Sequence, residues 1–266
     1  MSDFDEAYDE SQPFDETEIE ARDHLRRFFD KNRERVFFSR QLEVQNEREY
    51  FHWITNRAVH DLEAEGSIKR EWRKLRTGTA IKLVWHKGYR FYKRSARQLV
   101  SLVEEYSDPN IGASLGLHGE TMVLEGFART QFVMISRDAN TYQEKKWEDT
   151  QHNLDFIFER DGKAYGIEVK NTLGYMERDE FLLKIKLCAT LGVTPVFVCR
   201  MLPKSWIFEL MQRGGFALIL KYQLYPWTHK ELAKRVNQEL GLPVDAPRFL
   251  AEGTMKRFLR WHGKNM

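Results

Sequence analysis

At 266 residues the chain is long enough for two modest domains or one large one, and two unlike domains account best for a sequence without internal repeats. Hydrophobic residues at 42% and aromatics at 13% exclude a disordered chain, and no apolar run approaches the roughly 20 residues of a membrane span. A net charge of +2 hides uneven clusters, while Cys188 and Cys199 alone make neither a disulfide framework nor a cysteine zinc site and read as buried small hydrophobes.

Residues 1–16 read as an acidic tail without Lys or Arg, which excludes a secretory signal or transit peptide and places the chain in the cytoplasm. Ile19, Leu25, Phe28 and Phe29 then recur at helical intervals over Thr17–Lys31, followed by a short extended piece at Val36–Phe38. Ser39 reads as an N-cap, and a longer helix begins near Glu47 with Tyr50, Ile54, Ala58 and Leu62 on one stripe, stopping at Gly66. Three strand-like pieces follow, Ser67–Leu75, Ala80–Trp85 and Tyr89–Tyr92, separated by Thr77-Gly78 and Lys87-Gly88 turns. Helices followed by a β-ribbon make residues 17–94 a winged helix-turn-helix domain. Residues 95–110 are a connecting helix and linker ended by Asp108-Pro109-Asn110.

The second domain, 111–246, reads as helix (about 117–129), strand (131–136), hairpin (153–170), helix (178–191), strand (195–200), helix (203–213), strand (216–222) and helix (228–240). This is an α/β fold with a mixed central sheet flanked by helices. Residues 247–266 form a basic C-terminal tail or helix carrying Lys256, Arg257, Arg260 and Lys264.

The chemistry is concentrated in the hairpin. Asp161-Gly162 is a favoured two-residue turn, and with these as its central residues Asp155 stands across from Glu168 and Asn153 across from Lys170. Directly opposed Cβ atoms lie about 4.5–5.5 Å apart, so two carboxylates there repel unless a cation or proton lies between them. Mg²⁺ or Mn²⁺ suits such an oxygen-only pair, and no His/Cys cluster points to zinc. Glu168 and Lys170 share one strand face, with Ile167 and Val169 on the other.

Asp155, Glu168 and Lys170 resemble the motif of the PD-(D/E)XK nuclease superfamily, in its Holliday-junction-resolvase-like or restriction-endonuclease-like branches; the resemblance covers roughly residues 112–222. It implies a restriction-endonuclease-like sheet and Mg²⁺-dependent phosphodiester hydrolysis. Asp155, Glu168 and Glu120 become the metal ligands and Lys170 a catalytic charge. Glu120 matches the family's additional acid by opening the helix before the first strand, with Glu125 as fallback. The following helix often adds a polar residue in such enzymes, and Lys184 or Lys186 could supply it.

Between Gly66 and Gln98, the bases Lys69, Arg70, Arg73, Lys74, Arg76, Lys82, Lys87, Arg90, Lys93, Arg94 and Arg97 face a single acid, Glu71. Such clustering predicts salt-sensitive binding to nucleic acid, with Arg48, His52, Asn56 and Arg57 of the preceding helix as further contacts. Trp72, Trp85, Tyr89, Phe91 and Tyr92 interleave with the charges and read first as core, second as stacking platforms for unpaired bases. The expectation is a DNA endonuclease, nucleoid-associated in a prokaryotic cell, with a homodimer as one way of cutting both strands. A non-catalytic DNA-binding regulator or recruitment factor, and a nuclease acting on RNA or single strands, are the alternatives.

Overall fold

The computed structural model describes residues 16–264, so the acidic tail expected at 1–16 lies outside the described residues except for Glu16. The chain divides into two compact units, one running to Glu105 and including Leu240–Leu242, the other formed by Tyr106–Glu239 and Pro243 onward.

In the first unit, α1 (Glu16–Lys31), β1 (Val36–Phe38), α2 (Ser39–Asn46) and α3 (His52–Ala64) precede β2 (Ile68–Lys74), β3 (Ala80–His86) and α4 (Tyr92–Tyr106). The three strands form one antiparallel sheet in the order β1-β3-β2. Its third member is therefore the short piece at Val36–Phe38, not Tyr89–Tyr92, which turns into the start of α4. A three-residue strand carries too little local signal to reveal a partner far along the chain.

Central β3 is covered on both faces. Val84 packs with Ala58 and Leu62 of α3, and Trp85 stacks on Tyr92 of α4 with ring centroids 4.0 Å apart. That stacking makes α4 part of this unit, where the sequence suggested a connector. Ser39 is the first residue of α2 and does not cap it; instead the Phe38 N–H donates to Gln41 Oε1 at 3.3 Å. The next helix starts at His52, later than expected, because the chain turns at Asn46, whose C=O accepts the N–H groups of Glu49 and Tyr50. Gly66, at φ 69°, stops α3 as expected.

The second unit contains α5 (Pro109–Arg129), β4 (Val133–Ala139), the small hairpin β5 (Thr141–Tyr142) and β6 (Lys145–Lys146), β7 (Leu154–Arg160), β8 (Lys163–Lys170) and α6 (Arg178–Leu191). It continues with β9 (Thr194–Cys199), α7 (Lys204–Gln212), β10 (Phe216–Ile219), β11 (Gln223–Leu224), a 3-10 turn at Trp227–His229, α8 (Lys230–Leu240), β12 (Val244–Asp245) and α9 (Glu252–Lys264). The main sheet has five strands in the order β10-β9-β8-β7-β4. The β4–β7 and β7–β8 pairs are antiparallel, while the β8–β9 and β9–β10 pairs are parallel, so the sheet is mixed.

Asp108-Pro109-Asn110 is a helix start rather than a linker. Asp108 caps α5 by accepting from the Asn110 N–H at 2.8 Å, and Pro109 fills a first-turn position that needs no donor. The helix thus begins well before residue 117, which puts Glu120 near its middle rather than at its opening. One sheet face is filled by Met122 and Phe127 of α5 and Phe258 of α9 against Phe156, Phe158 and Ile167. The C-terminal segment is therefore a packed helix, not a free basic tail. The other face takes Phe181, Ile185, Leu187 and Cys188 of α6. Cys188 and Cys199 are buried free thiols, both pushed up by burial, Cys199 to about 12.

Candidate active site

The β7–β8 hairpin closes as its sequence predicts. Asp161 (φ 52°) and Gly162 (φ 75°) both adopt left-handed backbone, and pairing runs from Arg160↔Lys163 to Phe156↔Ile167. Continued by one pair, this register sets Asp155 opposite Glu168. Asp155 Oδ2 accepts a 2.6 Å hydrogen bond from the Val169 N–H, which holds the carboxylate against β8.

Glu168 is only 4% exposed. Burial pushes its carboxyl up to about 7, and the charge of Asp155 pushes the same way, against the opposing pull of Lys184 and Lys170. Asp155 is also raised, first by burial; Glu120 adds to the rise, while the Val169 hydrogen bond and both lysines oppose it. The two acids thus form an electrostatically coupled pair.

Two lysines converge on them. Lys170 Nζ lies 2.6 Å from Glu180 Oε1 and 3.6 Å from Glu168 Oε1. Burial alone would lower the Lys170 ammonium, but Glu180, Glu168 and Asp155 together hold it above its ordinary value. Lys184 is buried, with Nζ 2.6 Å from Glu168 Oε2 and a hydrogen bond to the Asn153 carbonyl. Glu120 is ion-paired with Arg137 of β4, and its charge adds to the rise of Asp155.

The approach of α5 to the end of β8 depends on Gly119, where an added Cβ would come within 2.5 Å of the Asn171 Cβ. The Asn171 amide is itself a clamp. It donates to the Leu115 and Leu224 carbonyls and accepts from the Leu224 N–H, at 2.7–2.8 Å.

Of the residues that sequence reasoning brought forward, Asp155, Glu168 and Lys170 lie together, whereas Glu120 is paired with Arg137. Sequence reasoning missed Glu180 and left Lys184 undecided. A signal for Lys184 existed, since Phe181, Lys184, Ile185 and Cys188 form the i, i+3, i+4, i+7 stripe that α6 buries, and a lysine on such a stripe needs a partner. Lys186 instead pairs with Asp149, and Glu125 with Arg129 on its own helix.

Oxygen donors of this kind fit a hard divalent cation. Asp155 and Glu168 can supply two carboxylates, as Mg²⁺ sites commonly do with waters and substrate phosphate completing the shell. Among the described residues no three His, Cys, Asp or Glu side chains converge as a preformed cage.

Several of the expected nucleic-acid contacts in the first unit are engaged internally. Arg57 turns inward to buried Glu18 at 2.6 Å, and Lys82 is buried with Nζ 2.9 Å from His60 Nε2, so neither offers a free charge to phosphate. Arg70, Arg73 and Arg76 are ion-paired with Glu63, Glu71 and Glu104. Arg48 is exposed, but in the turn before α3 rather than on it, and His52 and Asn56 on α3 are half-buried. Lys69, Lys74, Lys87 and Arg90 are exposed. The aromatics split: buried Trp85 stacks on half-buried Tyr92, Tyr89 is half-buried and bonds to Ser95, whereas Trp72 is 53% and Phe91 84% exposed.

No helix among the described residues is long and apolar enough to cross a membrane. Comparisons with protein-family models, with curated proteins and with solved structures find no match.

Proposed function

We propose that the chain is a Mg²⁺- or Mn²⁺-dependent DNA endonuclease of the PD-(D/E)XK type, with the first unit acting as a winged helix that holds duplex or branched DNA. The observation that carries this reading is the coupled, desolvated Asp155/Glu168 pair with Lys170 and Lys184 directed at it. Buried ion pairs add little to stability compared with apolar residues of the same volume, so a cluster of this cost fits a chemical role better than a structural one.

The element order supports the same reading. Helix α5 with Glu120, strand β4, strand β7 with Asp155, strand β8 with Glu168 and Lys170, and helix α6 with Lys184 follow the order that the motif resemblance implies. In the first unit, helices α1 to α3 and a β1-β3-β2 sheet suit a winged helix, with β2–β3 as the wing and α4 packed against it.

Asp155 and Glu168 would hold the metal, with Glu120 reaching it on release from Arg137. The bound cation supplies a lowered water pKa and a counter-charge for the phosphoryl oxygens. Lys170 is held protonated by Glu180, so it acts as a fixed positive charge for the developing phosphorane rather than as a base. The Val169 N–H keeps Asp155 aimed at the same place.

Plasmid and branched DNA incubated with Mg²⁺, Mn²⁺ or EDTA provide the test. Metal-dependent cutting that disappears in both Asp155→Ala and Lys170→Ala supports the assignment. Light scattering with and without DNA tests a homodimer. One observation favours the non-catalytic regulator: Lys184 already neutralises Glu168. Tight DNA binding with no cutting by the native protein on any substrate would establish that second reading.

A further inference from the structure

The charged clusters outside the candidate site mostly close on themselves; an aromatic surface in the first unit does not. Trp53 on α3 is 48% exposed and Trp72 on β2 is 53% exposed. Two interactions tie their elements together: Lys82 of β3 contacts His60 at 2.9 Å, and Arg70 of β2 pairs with Glu63 at 2.7 Å. Trp53, Asn56 and His60 fall at i, i+3 and i+7, a single helix stripe about 10 Å long. Trp72 stands directly across from Lys82 in the hairpin, with the Lys82 ammonium 5.4 Å from its ring centroid. The stripe of α3 and the Trp72 face of the hairpin are thus parts of one surface, joined through His60 and Lys82.

A protein partner's interface core is depleted in lysine, whereas this surface carries exposed Lys74 on the same strand face as Trp72. Half-exposed indoles beside an exposed lysine suit a polyanion that also presents flat π faces. Bases stacked inside a duplex show only their edges, so away from duplex ends an indole meets a base face only where the base is unpaired.

We infer that the Trp53–Trp72 surface binds unpaired bases, so that the preferred substrate is DNA with a single-stranded branch or tail rather than blunt duplex. This rests on the nucleic-acid reading of the first unit but not on the chemistry of the second. Stacking on an aromatic side chain is worth about 1–3 kcal/mol per base, so one lost indole changes affinity about fivefold to a hundredfold.

The test measures fluorescence anisotropy of the full chain in EDTA with labelled blunt duplex, the same duplex carrying a single-stranded tail, and the tail alone. The native protein is expected to bind the tailed duplex about tenfold more tightly than the blunt one. Trp72→Ala should abolish that preference while leaving blunt-duplex affinity within about twofold, and Trp72→Tyr should restore it, which separates stacking from damage to the fold. Equal affinity of native protein for tailed and blunt duplex overturns the inference, as does equal weakening of both by Trp72→Ala or no binding to any of the three. Because no metal is present, loss of cleavage elsewhere leaves this result standing. Conversely, intact metal-dependent cutting with no tail preference removes the inference alone.

Discussion

A glutamate and a lysine buried together, as Glu168 and Lys184 are, hold each other in place only while both are present. Above about pH 7, where Glu168 is charged, Lys184→Met should cost about 3 kcal/mol in urea unfolding, because it strands a buried carboxylate. The double variant Glu168→Leu/Lys184→Met should recover most of that loss, since an apolar pair has nothing to leave unpaired. The titration of Glu168 makes a separate prediction. Its folded value, about 7, lies above the ordinary 4.5, so the native state binds more protons than the unfolded chain between those values. Its favourable contribution is therefore complete below the ordinary value and is lost as pH rises to about 7, with no further change above. Relative to Glu168→Gln, the native protein should lose on the order of 3 kcal/mol of stability between these limits. A difference that stays flat with pH would refute the shift.

Among the elements, α5 and β8 decide whether Glu120 stands near Asp155. Their close approach depends on Gly119, whose missing Cβ leaves room for Asn171. Gly119→Ala should destabilise the protein by about 1–3 kcal/mol as an overpacked contact, and α5 must back away, carrying Glu120 with it. A urea midpoint unchanged from the native protein would show that the contact is slack. The β7–β8 hairpin contributes differently: its Asp161-Gly162 turn sets the register, and the register alone puts the two acids face to face.

At the scale of the whole molecule, a net charge of +2 says little about where a polyanion binds. Exposed Lys69 and Lys74 should each contribute to counterion release, so Lys69→Ala and Lys74→Ala should each reduce the log–log salt slope of DNA binding by about 1. Arg57→Ala should leave the slope unchanged while lowering the melting temperature, because Arg57 neutralises buried Glu18. A slope reduced by Arg57→Ala would mean that this arginine reaches phosphate after all.

What the sequence by itself determined was whatever depends on neighbours along the chain. The Asp161-Gly162 turn, the alternation that puts Glu168 and Lys170 on one face of β8, and the bounds of α6 at Arg178 and Leu191 were all legible, because turn geometry and strand or helix period are local properties. Only the tertiary structure decided that β1 completes the first sheet, that Glu180 holds Lys170 while Lys184 reaches Glu168, and that Arg57 and Lys82 turn inward while Trp72 stays exposed. Each of these depends on a partner brought close by folding. Short strands and long charged side chains carry no local mark of which partner that will be, because several arrangements satisfy the same local pattern until the core selects one.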